Sequence, residues 1–285
     1  MRMSQPVFAL TLLALVCLGC SHEPKTTEEV LKDIRTKSAK IQAYSADTDT
    51  TANMGSMAMQ IGGTMQGKEK LMAITMNMSM MGQNIAMKII TDKAGMTSMD
   101  MDMMGNKQVM KMDKEQAKEM RKKMMPGMPE GVDGMGGMQN DPRTFTDQFL
   151  KSFDMAYTGK EKLGNEDVYV LTGKIKEEFK TALTKNPAMG NAAAMGMDMS
   201  SMFNSIRVKI GVKDGFPRST EMLGKDDKPW MTQMFKNVKI NPSMEDAVFD
   251  YTPAAGVQVM DMSEMAGTAL QNQGAAPAPG ATPQN

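Results

Sequence analysis

The sequence predicts a mainly β protein with a few helices, built as a curved antiparallel sheet whose concave apolar face the helices cover. Three observations carry this. Between Leu71 and Met112, methionine recurs at every second residue through several short runs. Side chains on a strand point alternately to opposite faces, so each run sets its thioethers on one side, whereas a helix would scatter them around its axis. Turn-forming pairs, Gly82-Gln83 and Gly105-Asn106, separate successive runs as hairpins. Two helical segments then interrupt the strands, placed to lie across the open face of the sheet.

The amino terminus comes first. An arginine precedes an apolar run from Val7 to Leu18, too short to span a bilayer and of the length of a signal-peptide core. Leu18-Gly19-Cys20 resembles a bacterial lipobox, in which cleavage leaves a diacylglycerol-bearing cysteine at the new terminus. The expected division is a lipoprotein signal peptide over 1–19, a lipidated tether over 20–26, one binding domain over 27–264 and a disordered Ala/Pro/Gly tail over 265–285. Of the two cysteines, Cys17 leaves with the signal, so Cys20 is left without an internal disulfide partner. This places the chain in the cell envelope, anchored through Cys20 and facing the periplasm, with the outer membrane favoured by Ser21.

Thr26-Thr27-Glu28-Glu29 is a capping box, and Val30, Leu31, Ile34 and Ile41 follow at helical spacing, which predicts an amphipathic helix over 27–42. From Tyr44 the chain becomes Ser, Thr and Asp alternating with small residues, a polar strand. Met57, Met59 and Ile61 begin the methionine strands, with Gly62-Gly63 as a bulge or kink. Met72, Ile74, Met76, Met78 and Met80 share one face of the next strand. Ile85, Met87 and Ile89 do so on another, then Met99, Met101 and Met103, then Met110 and Met112. Asp100 and Asp102, on the opposite face from their methionines, are expected on a solvated surface.

Asp113 caps a second helix, with Gln116 at its third position. A Gly-, Pro- and Met-rich loop spans 126–140, and Asp141-Pro142 is read as the start of a third helix. Phe145, Phe149 and Phe153 form its apolar stripe, marking it as a lid helix. A hairpin follows, Ala156–Leu163 and Val168–Ile175, then a short helix over Glu177–Thr184 and a second Met-rich loop. Three strands end the domain: Ile206–Val212, Arg218–Leu223 and Trp230–Ile240.

The closing third carries a family resemblance. The turn Gly215-Phe216-Pro217, the strand Phe235–Pro242 of the form Phe-x-Asn-Val-x-Ile-Asn-Pro, and the run Phe249–Met260 of the form Phe-x-Tyr-x-Pro resemble LolA-like outer-membrane lipoprotein carriers. Val30–Ala46 resembles the family's opening helix and first strand. The resemblance covers 28–262 and implies an unclosed β-barrel with helices as a lid, enclosing a cavity for acyl chains. It implies no individual binding residue. The anchor at Cys20 departs from the freely diffusing carrier and favours an anchored receptor of the LolB-like kind.

Charge excludes some classes. There are 33 Lys and Arg against 33 Asp and Glu, so no electrostatic footprint for nucleic acid is present. The single histidine, His22, lies beside the anchor, which leaves a Ser–His or Cys–His nucleophile without a base. No enzymatic activity and no cofactor is expected. The 38 methionines admit three readings. They line an acyl-chain cavity in a protein of envelope lipid or lipoprotein trafficking, with an envelope protein as a further partner. They bind copper(I) through Met99, Met101, Met103, Met195, Met197 and Met199, since soft thioethers select that ion. Or they fill a plain core where other chains use Leu or Val.

Overall fold

The alternating runs become strands of one sheet in the computed structural model, which describes residues 26–54, 57–80, 83–103, 105–116, 119, 141, 143–184 and 204–261. Within these residues the strands are β1 (Ala43–Met54), β2 (Met57–Lys68), β3 (Leu71–Met80), β4 (Gln83–Thr91), β5 (Thr97–Met103), β6 (Asn106–Met112), β7 (Phe153–Leu163), β8 (Glu166–Ile175), β9 (Ser205–Gly211), β10 (Pro217–Leu223), β11 (Pro229–Ile240) and β12 (Gln258–Asp261). Their order is β12-β6-β5-β4-β3-β2-β1-β11-β10-β9-β8-β7, an unclosed sheet. Two antiparallel meanders, β1 to β6 and β7 to β11, are joined where β1 pairs with β11. Strand β12 alone among them runs parallel to its neighbour, β6. The exposed edge strand β7 carries Asp154, Lys160, Glu161 and Lys162, charges that discourage edge-to-edge pairing.

The helices are α1 (Thr27–Ser38), α2 (Phe145–Ser152) and α3 (Glu177–Thr184). Helix α1 starts where the capping box requires: Thr26 Oγ1 accepts from Glu29 N, and the Glu29 carboxylate accepts from Thr26 N. Its buried stripe is Val30, Ile34 and Ser38. Thr27 Oγ1 also accepts from Tyr157 N at 2.9 Å, which fixes the helix to β7. The second capping box forms too, with Asp113 and Gln116 exchanging side-chain acceptors for backbone donors at 2.7 and 2.8 Å. Beyond Gln116 that segment, Glu119 apart, lies outside the described residues, as do the signal region, both Met-rich loops and the tail.

Two expectations are corrected. Helix α2 begins at Phe145, not at Pro142, because the Asp141 carboxylate serves Arg143: it accepts from both the backbone N and the Nε of that residue, closing a turn. Phe153 therefore falls at the helix C-cap, as the first residue of β7. The glycine pair in β2 makes no bulge, since register runs unbroken through it against both β1 and β3. Gly63 instead permits close approach, as a Cβ there would lie 2.1 Å from the Thr75 carbonyl oxygen.

Three apolar clusters hold the sheet. One gathers Ile41, Tyr44, Ile61, Met65, Ile74, Met76, Ile89, Phe216 and Phe235 on the inner face. Phe216, fully buried, sits 5.4 Å from the Tyr44 ring and 5.8 Å from Phe235, and burying such a side chain contributes roughly 1.5–3 kcal/mol. Gly215 precedes it at φ +71, under the last turn of α1, where a side chain would strike the Ile34 carbonyl. A second cluster packs α1 and α2 on β7, β8 and β9 through Val30, Ile34, Phe145, Phe153, Leu171 and Ile206. The third lies on the outer face, where Phe249 and its neighbours Val248 and Tyr251 cover Leu71, Ala73 and Ile90.

That outer-face strap was not foreseen. After Asn241 the chain crosses β2 to β6, makes a 3-10 turn at Asp246–Phe249, and ends as β12. Asp246 receives both Lys68 and Lys93, at 2.7 and 2.6 Å. Asp100, expected to be solvated, accepts the Tyr251 hydroxyl instead.

Candidate functional site

Directly paired residues on neighbouring strands share a face, so the registers trace the inner surface row by row. One row runs Met65, Ile74, Ile89, Met99, Met110 and Met260 across β2 to β6 and β12. The next runs Met76, Met87 and Met101. A third pairs Ile61, Met78 and Ile85. Met72 and Met112 lie on the row that passes through Thr91 and Thr97. Met80 and Met103 take the register positions opposite Gln83 and Ile85. The residues that alternation singles out, scattered over forty positions of chain, thus form one contiguous field.

Burial within that field is graded. Ile74, Ile89 and Met65 are fully buried and Met76 and Met112 nearly so. Met72, Met78, Met87 and Met99 are half-buried and packed against that cluster. Met101, Met110 and Ile85 are half-buried as well. This is an apolar sheet face in which buried side chains and more accessible, flexible thioethers lie side by side.

The aromatic helix lies elsewhere along the sheet. Phe145 and Phe149 meet edge-on with ring centres 4.1 Å apart, and Phe149 reaches Phe153 at 5.9 Å. These rings pack on α1 and on β7 to β9, so among the described residues α2 roofs the β7 half of the face, beside the methionine half. Between the halves stands Tyr44, whose ring Arg143 covers at 5.7 Å. Arg143 also donates to the Ile41 and Glu69 carbonyls, clamping the segment before α2 to the start of the sheet. Burial holds the Tyr44 phenol well above its ordinary range, with Asp141 adding to that and Arg143 opposing it. It is a neutral, structural phenol.

Sequence reasoning missed a polar band between the two halves. Thr50, Gln233 and Thr220 are paired across β1, β11 and β10 on the inner face, and all three are buried. They come from positions so far apart that no local motif marks them; the only signal was the alternation of threonines in β1.

Two surface depressions lie away from this field. One is lined by the outer side of α1, through Thr27, Leu31 and Arg35. The other lies at the β1–β11 irregularity, beside Ser45, Asp47, Gln66 and Asn237. Among the described residues no group of three His, Cys, Asp or Glu side chains is placed to hold a metal ion. Of the thioethers considered for copper(I), Met99 and Met101 stand in the inner field and Met103 at its edge by register. Met195, Met197 and Met199 lie outside the described residues, as does Cys20.

The inner sheet face is thus apolar over much of its width, and helices roof part of it. No family model and no curated protein matches the chain. Among solved structures it is similar to an uncharacterized conserved protein from Thermus thermophilus, at 10% identity and a TM-score of 0.43, over 82% of this chain and 98% of that one. It is also similar to the lipoprotein LppX of Mycobacterium tuberculosis, at 8% identity and TM-score 0.41, over 76% and 98%. A putative outer membrane lipoprotein-sorting protein domain from Vibrio parahaemolyticus gives 9% identity and TM-score 0.32, over 77% and 95%.

Proposed function

We propose that this chain is a non-enzymatic, membrane-anchored lipoprotein of the bacterial envelope that holds acyl chains of lipids or lipoproteins on its methionine face. The observation that carries the reading is the graded field itself: buried Ile74, Ile89 and Met65 beside half-buried Met72, Met78, Met87 and Met99 on one sheet face. Methionine is a poor strand former, so its use here needs a reason beyond propensity. Its unbranched, polarizable side chain adapts to varied apolar partners, which is what a cargo of differing acyl chains demands.

Cys20 supplies the anchor in this reading, and the envelope, with the outer membrane favoured, is the compartment. The test is native mass spectrometry of protein purified from membranes, followed by solvent extraction. Co-purifying acyl lipid that rebinds after delipidation is the expected result. Protein that emerges lipid-free and takes up no lipid would refute the cargo. Cys20→Ala should release the domain from the membrane fraction or leave the precursor uncleaved.

Copper(I) binding is the second reading, favoured by a specific feature: Met76, Met87 and Met101 are directly opposed on three adjacent strands, as are Met99, Met110 and Met260. Competition against a chromophoric copper(I) chelator separates the two, since Met87→Leu would abolish a thioether site and spare an acyl one.

A further inference from the structure

One long row on the inner face is polar in its middle and apolar on either side. It runs Ile85, Met78, Ile61, Thr50, Gln233, Thr220, Val208, Leu171 and Tyr157, each directly paired with the next. Thr50 is 2% exposed, Thr220 3% and Gln233 7%, as buried as the Ile61 and Val208 that flank them. The Thr220 hydroxyl oxygen is buried without a hydrogen-bond partner. Leaving a buried donor unmade costs stability, and such groups in a native fold call for an explanation.

We propose that Thr50, Gln233 and Thr220 form a subsite for the ester or amide carbonyl of a bound acyl chain. This rests on the acyl-chain reading and names the class of lipid it takes. The Thr220 hydroxyl and the Gln233 carboxamide donate to the carbonyl oxygen, and Thr50 borders the same point from β1. The hydrocarbon then lies over Ile61, Met78 and Ile85. Four strand spacings separate Gln233 from Ile85, roughly 19 Å at about 4.8 Å each, a span suited to a long chain.

Charge narrows the ligand further. The three polar side chains are neutral, so they offer donors to a carbonyl oxygen but no counter-charge to a buried carboxylate or phosphate. The guanidinium of Arg218, two residues before Thr220 on β10, is already committed to Glu166 and Asp214, at 2.6 Å each. An ester- or amide-linked chain is therefore favoured over a free fatty acid.

The experiment uses the full mature chain, purified in detergent and delipidated, with two fluorescent probes of equal length: a long-chain methyl ester and the corresponding alkane. Thr220→Val keeps nearly the same shape and removes the hydroxyl. It should raise the thermal midpoint of the empty protein, because an unsatisfied donor is gone, while weakening ester binding about fivefold. Alkane binding should stay within about twofold. Thr220→Ser restores a hydroxyl and should restore the ester preference. Equal effects of Thr220→Val on both probes, or none on either, would overturn the subsite, as would a lowered midpoint in the empty variant. If the unaltered protein binds neither probe, the acyl reading itself falls and the subsite with it. If it binds both equally and Thr220→Val changes nothing, the acyl reading stands and only the subsite is lost.

Discussion

The Tyr251 hydroxyl donates to Asp100 Oδ2 at 3.0 Å, across 151 positions of sequence, and so fastens the carboxy-terminal strap to the outer face of β5. Burial, then the hydrogen bond and charge of Asp100, push the Tyr251 phenol up to about 12 from 10.0. A group whose folded value is raised lends stability that is complete below its unfolded value and is lost as pH climbs to the folded one. The strap should therefore weaken between about pH 10 and 12. Urea unfolding across that window should show a downward slope that is shallower in Tyr251→Phe. An identical slope in the variant would remove Tyr251 from the account.

The same strap has an acid-side latch. Hydrogen bonds from Lys68 and Lys93, then their charges, hold the Asp246 carboxyl down at about 2. A lowered folded value gives stability that is present above the ordinary carboxylate range and lost as pH falls toward the folded value. Hydrogen exchange in β12 and around Phe249 should quicken as pH drops from about 4 to 2, after correction for intrinsic rates, and Asp246→Asn should show the faster exchange already at neutral pH. Equal protection in the two proteins at neutral pH would count against the latch.

Asn241 ties the end of β11 to the start of β1. Its side-chain oxygen accepts from Gln42 N and Ala43 N at 2.8 and 3.1 Å, and its backbone sits at φ +52. Asn241→Ala loses the side-chain bonds and leaves a β-carbon in the left-handed region without the polar group that lets Asn tolerate it, an expected cost of about 2–3 kcal/mol in chemical denaturation. Asn241→Gly keeps the backbone conformation and loses only the bonds, so it should cost about 1 kcal/mol less. Two variants that both lie within about 0.5 kcal/mol of the parent would show that this corner is not specified by Asn241.

Gly67 exists for Tyr44. A Cβ at Gly67 would lie 2.4 Å from the Tyr44 ring. Gly67→Ala should destabilise by about 1–3 kcal/mol through overpacking. In a Tyr44→Leu background, which removes the ring, most of that penalty should disappear, because the two changes share one contact. Strict additivity of the pair would refute the packing explanation.

What could be read from the sequence followed from distance along the chain. Period-two methionines, the capping boxes at Thr26 and Asp113, and the turns at Gly105 and Gly215 are local signals, and each stands in the structure. The resemblance of the Phe235–Pro242 stretch to a family pattern now has a physical basis, since Asn237 and Asn241 both adopt positive φ, the conformation Asn tolerates. The role of Asp141 is not legible in the sequence, because a capping residue and a residue that binds the guanidinium two positions on look alike in one dimension. The parallel pairing of β12 with β6, the Arg143 clamp and the Thr50–Gln233–Thr220 band join residues that only the sheet order brings together.

The last test concerns which side of β3 does the binding. Met78 is half-buried on the inner face, directly opposite Ile61 and Ile85, whereas its neighbour Asn77 is exposed, opposite Gly62 and Ala86. A carboxylate at 78 would meet those aliphatic side chains without a compensating charge, at a desolvation cost of at least about 2 kcal/mol. Met78→Asp should lower stability and abolish uptake of the fluorescent methyl ester. Asn77→Asp places the same charge one residue away in solvent, and should change stability by no more than about 0.5 kcal/mol with uptake intact. Met78→Leu keeps apolar volume and should leave uptake nearly unchanged. Equal tolerance of Asp at 77 and 78 would contradict the assignment of faces. Stability lost at 78 in a protein that never takes up the probe would instead make the methionine field a plain core.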